Sequence, residues 1–266
     1  LAQRFRQLRE QERVGVIPFL TIGFPDVEAT LELVPELEAA GAAVIELGIP
    51  FSDPLADGVT IQASSYQALE QGITLQKCLE TCAKLRQNGV ECPLVLMGYY
   101  NCILSYGLAQ TSKHASEAGA DGFIVVDLPA EEAGPFQAAC RAQGLCLIPL
   151  VAPTSTEDRI MNACLGAEGF VYCVSVSGVT GAREALPVGV PEFVARVRRH
   201  TDLPLAVGFG VSQREHVELV GTYAEAAVVG SALIHKIATT PRQELKRVAR
   251  RFVSDLNGTL EPSYRG

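Results

Sequence analysis

The sequence predicts a single (β/α)₈ barrel, with an extra helix before the first strand and a mobile loop after the sixth. Three observations carry that prediction. Short apolar runs rich in β-branched residues recur eight times, and segments with helical spacing separate them. The length of 266 residues suits one barrel, for which about 250 residues is typical. Strict alternation over eight strands closes a barrel, whereas an open doubly wound sheet usually has about five to seven.

The eight runs span residues 16–23, 44–49, 94–100, 122–128, 146–152, 169–175, 204–210 and 226–231. Several are near-continuous hydrophobic stretches, as expected of parallel strands buried on both faces. Ahead of them, residues 1–12 read as a short amphipathic helix over the barrel floor. Residues 27–40 carry apolar side chains three and four apart, and residues 155–165 open with Ser-Thr-Glu-Asp, a helix-start signal. Residues 234–256 read as one long closing helix. Ala-Gly-Ala before strand 2 and Ala-Gly-Ala-Asp-Gly before strand 4 supply a left-handed residue that ends each helix. Two connections are longer than the rest. Residues 50–93 hold a polar loop before their helix, and residues 176–203 begin Val-Ser-Gly-Val-Thr-Gly-Ala-Arg. Both follow strand C-termini, the face of a barrel that carries chemistry. No linker or low-complexity stretch divides the chain, so residues 1–266 are read as one domain.

Composition narrows the partners. Apolar residues make up 48%, charged residues 20%, and the net charge is −8. A nucleic-acid or anionic-membrane surface would show a basic stripe. The longest basic cluster is Arg196, Arg198 and Arg199, read as a solvated helix face, so neither partner is expected. Eight scattered cysteines, without metal spacing, read as reduced and mostly buried thiols of a reducing compartment. That places the chain in the cytoplasm, or in the plastid stroma of a plant. The opening Leu-Ala-Gln-Arg-Phe does not read as a signal or transit peptide, and no apolar run approaches the ~20 residues of a membrane span.

The chemistry concentrates at strand ends. Strands 7 and 8 end in Gly208-Phe209-Gly210 and Gly230-Ser231. Backbone N–H groups there, with a short helix starting at Gly230-Ser231, suit a phosphate. Glu46 interrupts the apolar strand Val44-Ile-Glu-Leu-Gly-Ile, where desolvation raises a carboxyl pKa into proton-shuttle range. No arginine lies between Arg13 and Arg86 to neutralise it locally. Asp53 and Asp57 follow in the next loop, and Asp127 ends strand 4. One strand acid and one loop acid make a general acid/base with an electrostatic partner. None of the five lysines lies on a strand, which excludes a Schiff-base aldolase. All four histidines are read as surface residues of helices, which leaves a metal-dependent reading without ligands. With Phe19, Tyr99, Tyr172 and Phe209 at the rim, the barrel suits cleavage or isomerisation of a flat, partly apolar phosphate ester. A different phosphate-binding barrel isomerase would want an acid or a Cys/Asp pair at the ends of strands 1 and 5, which here read Thr21-Ile-Gly and Val151-Ala-Pro. A non-catalytic scaffold would have no use for the acid pair.

Glu46-Leu-Gly-Ile-Pro-Phe-Ser-Asp-Pro-Leu-Ala-Asp-Gly58 resembles, nearly letter for letter, the signature of the tryptophan synthase α-subunit family. Other segments agree in order: Pro18-Phe-Leu-Thr-Ile-Gly-Phe-Pro-Asp26, Met97-Gly-Tyr-Tyr-Asn101, Asp127-Leu-Pro-Ala-Glu-Glu132, Ala152-Pro-Thr-Ser155, Tyr172 to Gly181, Gly208-Phe-Gly210 and Gly230-Ser231. The resemblance implies a TIM barrel that cleaves indole-3-glycerol phosphate to indole and glyceraldehyde 3-phosphate by a retro-aldol step. Glu46 would move the protons, and Asp57 would hold the indole N–H. Phe19, Met97, Tyr99 and Tyr172 would line the indole pocket. Gly181, Phe209, Gly210, Gly230 and Ser231 would hold the phosphate, and Thr180 would sit in the closing loop and meet Asp57. The resemblance also implies an α₂β₂ assembly with a β subunit that carries pyridoxal phosphate, and no cofactor on this chain. The Ser52–Ala56 loop, with Asp53 and Pro54, and the region of Asn101–Tyr106 would face that partner. The chain departs from the family at Val59, where many members have proline, and at Val176, where many have a basic residue. A stand-alone lyase releasing free indole would use the same chemistry without the partner.

Overall fold

The computed structural model describes residues 1–174, 189–208 and 210–259. Among them, nine parallel strands form one sheet in the order β5-β4-β3-β2-β1-β9-β8-β7-β6. The strands are β1 (Gly15–Thr21), β2 (Ile45–Gly48), β3 (Leu94–Gly98), β4 (Gly122–Val125), β5 (Cys146–Ile148), β6 (Leu150–Val151), β7 (Val171–Val174), β8 (Leu205–Gly208) and β9 (Ala226–Val229). The two ends of the sheet, β5 and β6, are separated in the chain only by Pro149. They are one barrel strand, interrupted where a residue without an N–H cannot donate to the ladder. The Pro149 carbonyl still accepts the Tyr172 N–H at 2.9 Å. Eight runs in the sequence and nine strands in the structure are therefore the same closed barrel.

Twelve α-helices are described: α1 (Ala2–Glu10), α2 (Val27–Ala39), α3 (Val59–Glu70), α4 (Leu75–Gln87), α5 (Tyr100–Tyr106), α6 (Leu108–Glu117), α7 (Gly134–Ala142), α8 (Glu157–Cys164), α9 (Val190–Arg198), α10 (Arg214–Val220), α11 (Ser231–Thr239) and α12 (Leu245–Leu256). Side-chain caps fix several starts. Asp26 accepts the Ala29 N–H at 2.6 Å, and Thr156 rather than Ser155 caps α8. Such a cap is worth about 1 kcal/mol. Gly41 and Gly119 take φ of 89° and 81° at the ends of α2 and α6, as the Ala-Gly-Ala junctions predict. The connection over residues 50–93 holds two helices rather than one, split at Gln71-Gly72. The closing segment is also two helices. Pro241, which has no N–H to continue a helix, parts α11 from α12.

Alternation along each strand sorts the core into two layers. Ile17, Val44, Val95, Ile124, Ile148, Phe170, Ala206 and Val228 fill the barrel, and Phe5 and Leu8 of α1 plug its floor. Phe5 meets Phe170 with ring centroids 5.6 Å apart, so α1 covers the floor as its spacing predicts. Leu20, Leu47, Leu96, Phe123 and Val207 face outward under the helices. The ring closes where α12 packs on α2, with Lys246 and Arg250 paired to Glu36.

One clamp occurs twice near the floor. Arg86 pairs with Asp121 at 2.8 Å, and the same Asp121 oxygen accepts the N–H of Leu94, the first residue of β3. Arg198 pairs with Glu225 at 2.5 Å, and Glu225 accepts the N–H of Leu205, the first residue of β8. The basic cluster is thus more than a solvated face, since Arg196 and Arg199 also meet Glu157. The histidines divide too. His216 is buried in α10, its Nδ1 accepting the Ser212 N–H at 3.3 Å, and His200 lies in the turn after α9 against Glu157. All eight cysteines are free thiols. No described helix is long and apolar enough to cross a membrane. Thr180, Gly181, Val176 and the loop expected to be mobile lie outside the described residues, as does Phe209.

Candidate active site

Glu46 stands in β2 with Leu47 and Ile45 turned to the helices, so its own side chain faces the barrel interior. It is 0% exposed, and neither carboxylate oxygen has a hydrogen-bond partner. A charged carboxylate in that position would carry a heavy desolvation cost. Burial accordingly pushes its pKa to about 8, and at neutral pH the group is a protonated acid. The absence of arginine from residues 14–85 is visible here as an acid without a counter-ion.

Asp57 reaches the same mouth from the loop between β2 and α3. Two turn bonds shape that loop: Leu55 N–H to the Asp53 carbonyl and Asp57 N–H to the Pro54 carbonyl, both 2.9 Å. Burial raises its pKa to about 6, against which a hydrogen bond from Tyr99 works to lower it. The Tyr99 hydroxyl donates to Asp57 Oδ2 at 3.1 Å and accepts the Ala56 N–H at 3.0 Å. At pH 7 one carboxyl of the pair is an acid and the other an anion, the division of labour that acid/base chemistry needs.

Aromatic side chains wall this pair. Phe19 lies opposite Glu46 in the β1–β2 ladder, and Tyr172 enters from β7. The Tyr172 hydroxyl is pushed well above its ordinary pKa, first by burial and then by the charges of Glu46 and Asp57. The three side chains therefore share one site. Met97, at the same level as Gly48 across the β2–β3 ladder, touches both core layers. Two strand glycines make room for the rings. A Cβ on Gly48 would come within 2.5 Å of Phe19 Cζ, and one on Gly208 within 2.5 Å of Tyr172 Oη. Gly48 does not stand out in the sequence as a site residue, and Gly208 does so only as part of the glycine-rich end of its strand, not as the space beside Tyr172. Phe51 is likewise found only in the structure. Its ring stacks on Tyr99 with centroids 4.8 Å apart and planes at 21°. The one aromatic residue of the loop after β2 is the signal that points to it.

Past β1 in the ladder come β9 and β8, and Gly210 follows β8 with φ 70°. Gly230 precedes α11, whose first residue is Ser231. The unpaired N–H groups of that helix end open at the C-terminal side of β9, a setting that favours an anion. Asp127 lies at the rim, where its Oδ1 accepts the Tyr100 N–H at 2.7 Å. Asp53 is exposed and bonded to the Ser52 hydroxyl at 2.6 Å, and Pro54 is half-buried beside it. All five lysines lie in helices outside the barrel. Among the described residues no group of three or more His, Cys, Asp or Glu could hold a metal ion.

Residues 5–261 match the family model for the tryptophan synthase alpha chain. The tryptophan synthase alpha chain of Roseiflexus sp. (strain RS-1) is 52% identical over 258 residues, covering 97% of this chain and 99% of the relative. Among solved structures, tryptophan synthase subunit alpha from Legionella pneumophila str. Paris superposes with a TM-score of 0.89. It is 33% identical and covers 97% of each chain. A chain of the tryptophan synthase complex from Pyrococcus furiosus gives a TM-score of 0.85 at 38% identity, covering 92% of this chain and 98% of that one. The chain belongs to the tryptophan synthase alpha chain family.

Proposed function

We propose that this chain cleaves indole-3-glycerol phosphate to indole and glyceraldehyde 3-phosphate, with Glu46 as acid/base and Asp57 as the electrostatic partner. The single observation that carries this reading is the buried, unpartnered Glu46 beside an aspartate whose pKa lies lower, at about 6 against about 8. Protonated Glu46 delivers its proton to indole C3. The ring then bears positive charge, which Asp57 stabilises at the ring N–H. The bond between C3 and the side-chain carbon breaks, its electrons restoring the aromatic indole. The Glu46 carboxylate takes the proton of the neighbouring hydroxyl, whose oxygen becomes the aldehyde, so the enzyme ends as it began.

Phe19, Met97, Tyr99 and Tyr172 hold the flat ring. Gly210 and the α11 end at Gly230-Ser231 hold the phosphate, together with Gly181 and Phe209, while Thr180 closes over the site. The scheme uses no metal and no cofactor on this chain.

Membership of an alpha chain family implies a β-subunit partner. In our reading it docks on the Ser52–Ala56 loop, including Asp53 and Pro54, and on the Asn101–Tyr106 segment to form an α₂β₂ assembly. Exposed apolar side chains support that face: Leu55 is 94% exposed, Val59 66% and Leu104 57%. They lie in the loop after β2, at the start of α3 and in α5, beyond the adjacent strands β2 and β3, and exposed hydrophobics can mark interaction surfaces. Val59, the departure from the family's proline, is one of them. Free thiols suit the cytoplasm.

The test is indole release from indole-3-glycerol phosphate by the purified chain, alone and with a tryptophan synthase β subunit. Slow release alone and much faster release with the partner is expected. Fast release alone would make the chain a stand-alone lyase, and no indole in either case would reject the reading.

A further inference from the structure

Tyr99 does more than the apolar wall of a pocket requires. It follows β3 as the residue before α5, its ring is stacked on Phe51, and its hydroxyl makes two bonds into the loop after β2. A phenol oxygen carries one proton. Because the Ala56 N–H at 3.0 Å already uses a lone pair of that oxygen, the proton is free to point at Asp57 Oδ2, 3.1 Å away. We propose that Tyr99 is a positioning residue that orients the Asp57 carboxylate, committing Oδ2 so that Oδ1 is offered to the ring N–H of the substrate.

The inference rests on the reading of Asp57 as the indole N–H acceptor. Its geometry joins two rigid points, the end of β3 and the Phe51 stack, to a carboxylate that lies on a loop. A hydroxyl donated to the charged form also favours ionisation of Asp57, against the larger and opposite effect of burial. Among the described residues, the other titratable groups facing this pair are Glu46 from β2, Tyr172 from β7 and Asp127 beyond β4. None of these is a cation, so no described positive charge stands beside the Tyr99 hydroxyl to take over its role. Burial and the Asp57 charge both raise the Tyr99 pKa, so the phenol stays protonated and remains a donor throughout the working pH range.

The test is Tyr99→Phe in the full chain, measured with and without the partner subunit. The variant keeps the ring and its stack on Phe51 and loses only the hydroxyl. The expected result is a kcat lower by about ten- to a hundredfold, the worth of a hydrogen bond to a charged group. KM should stay close to that of the wild type, and the acidic limb of the pH profile should move to higher pH. Tyr99→Ala, which also removes the ring, should raise KM as well. A residue that merely lined the pocket would tolerate phenylalanine with no change in kcat or in the limb, and that result would overturn the proposal. The titration of the Asp57 carboxyl carbon by NMR in the ligand-free chain provides a readout that needs no substrate. An upward shift in Tyr99→Phe supports the contact and an unchanged titration overturns it. A wild-type chain that released no indole would sink the functional reading, while this titration would still decide the Tyr99–Asp57 link.

Discussion

Glu46 lies directly opposite Phe19 in the parallel ladder of β1 and β2, so the residue read as the acid faces an aromatic wall and, among the described residues, no hydrogen-bond partner. The same placement has a thermodynamic consequence. The carboxyl titrates near its ordinary value of 4.5 in the unfolded chain and at about 8 in the folded one. Between those values the folded state keeps a proton that the unfolded state has lost. Stability therefore falls as pH rises through that window, by about 1.4 kcal/mol per unit, and levels off above pH 8. Glu46→Gln should remove this slope and be more stable than the wild type by a few kcal/mol at pH 8, at about 1.4 kcal/mol per unit lost. Urea unfolding at pH 5 and pH 8 measures it. An identical pH dependence in both proteins would show that the group is not a buried acid.

Activity should follow both carboxyls. Asp57 must be ionised and Glu46 protonated, so kcat/KM should rise through a limb near pH 6 and fall through one near pH 8. Asp57→Asn should cost about 10²- to 10³-fold in kcat, the scale of a lost electrostatic stabiliser, and should remove the acidic limb from what activity remains. A profile flat from pH 5 to 9 would contradict the assignment.

Gly48 and Gly208 hold open the space for Phe19 and Tyr172. Gly48→Ala and Gly208→Ala should push those rings toward the mouth and raise KM for the substrate. The added methyl should also cost about 1–3 kcal/mol of stability by overpacking. Substrate titration and thermal melts report the two effects separately. Wild-type KM in both variants would mean that the rings do not form the pocket.

The anion site makes a crystallographic prediction. Sulfate soaked into crystals should bind between Gly210 and Gly230-Ser231, at the start of α11. Ser231→Asp, which places a negative charge at that helix end, should exclude the ion and raise KM more than tenfold, the equivalent of about 1.4 kcal/mol. Sulfate found only at arginine clusters would move the phosphate site elsewhere.

Most of the architecture was legible because parallel strands buried on both faces write themselves as apolar runs, and all eight runs are barrel strands. The exceptions have local causes. Pro149 splits one strand in two and Pro241 splits the closing helix, effects of a missing N–H that a hydrophobic pattern does not register. His216, read from the sequence as a surface residue, is buried because α10 turns it inward, a direction that the spacing of a seven-residue helix does not fix. In the site, Glu46 was legible as a charge inside an apolar strand and Asp57 as an acid in the loop beyond it. The Tyr99 hydroxyl bridge and the Phe51 stack were not, since they join residues far apart in the chain (42 apart for Tyr99 and Asp57) and depend on the path of the loop after β2. The twin clamps Arg86–Asp121 and Arg198–Glu225 were invisible for the same reason.

The central claim is that Glu46 moves the protons. Its most direct test compares wild type and Glu46→Gln for indole formation in a single turnover, with substrate binding measured separately on both. The account predicts that Glu46→Gln is folded, binds indole-3-glycerol phosphate about as tightly as the wild type, and forms no indole. Indole formed by Glu46→Gln at the wild-type rate would contradict it.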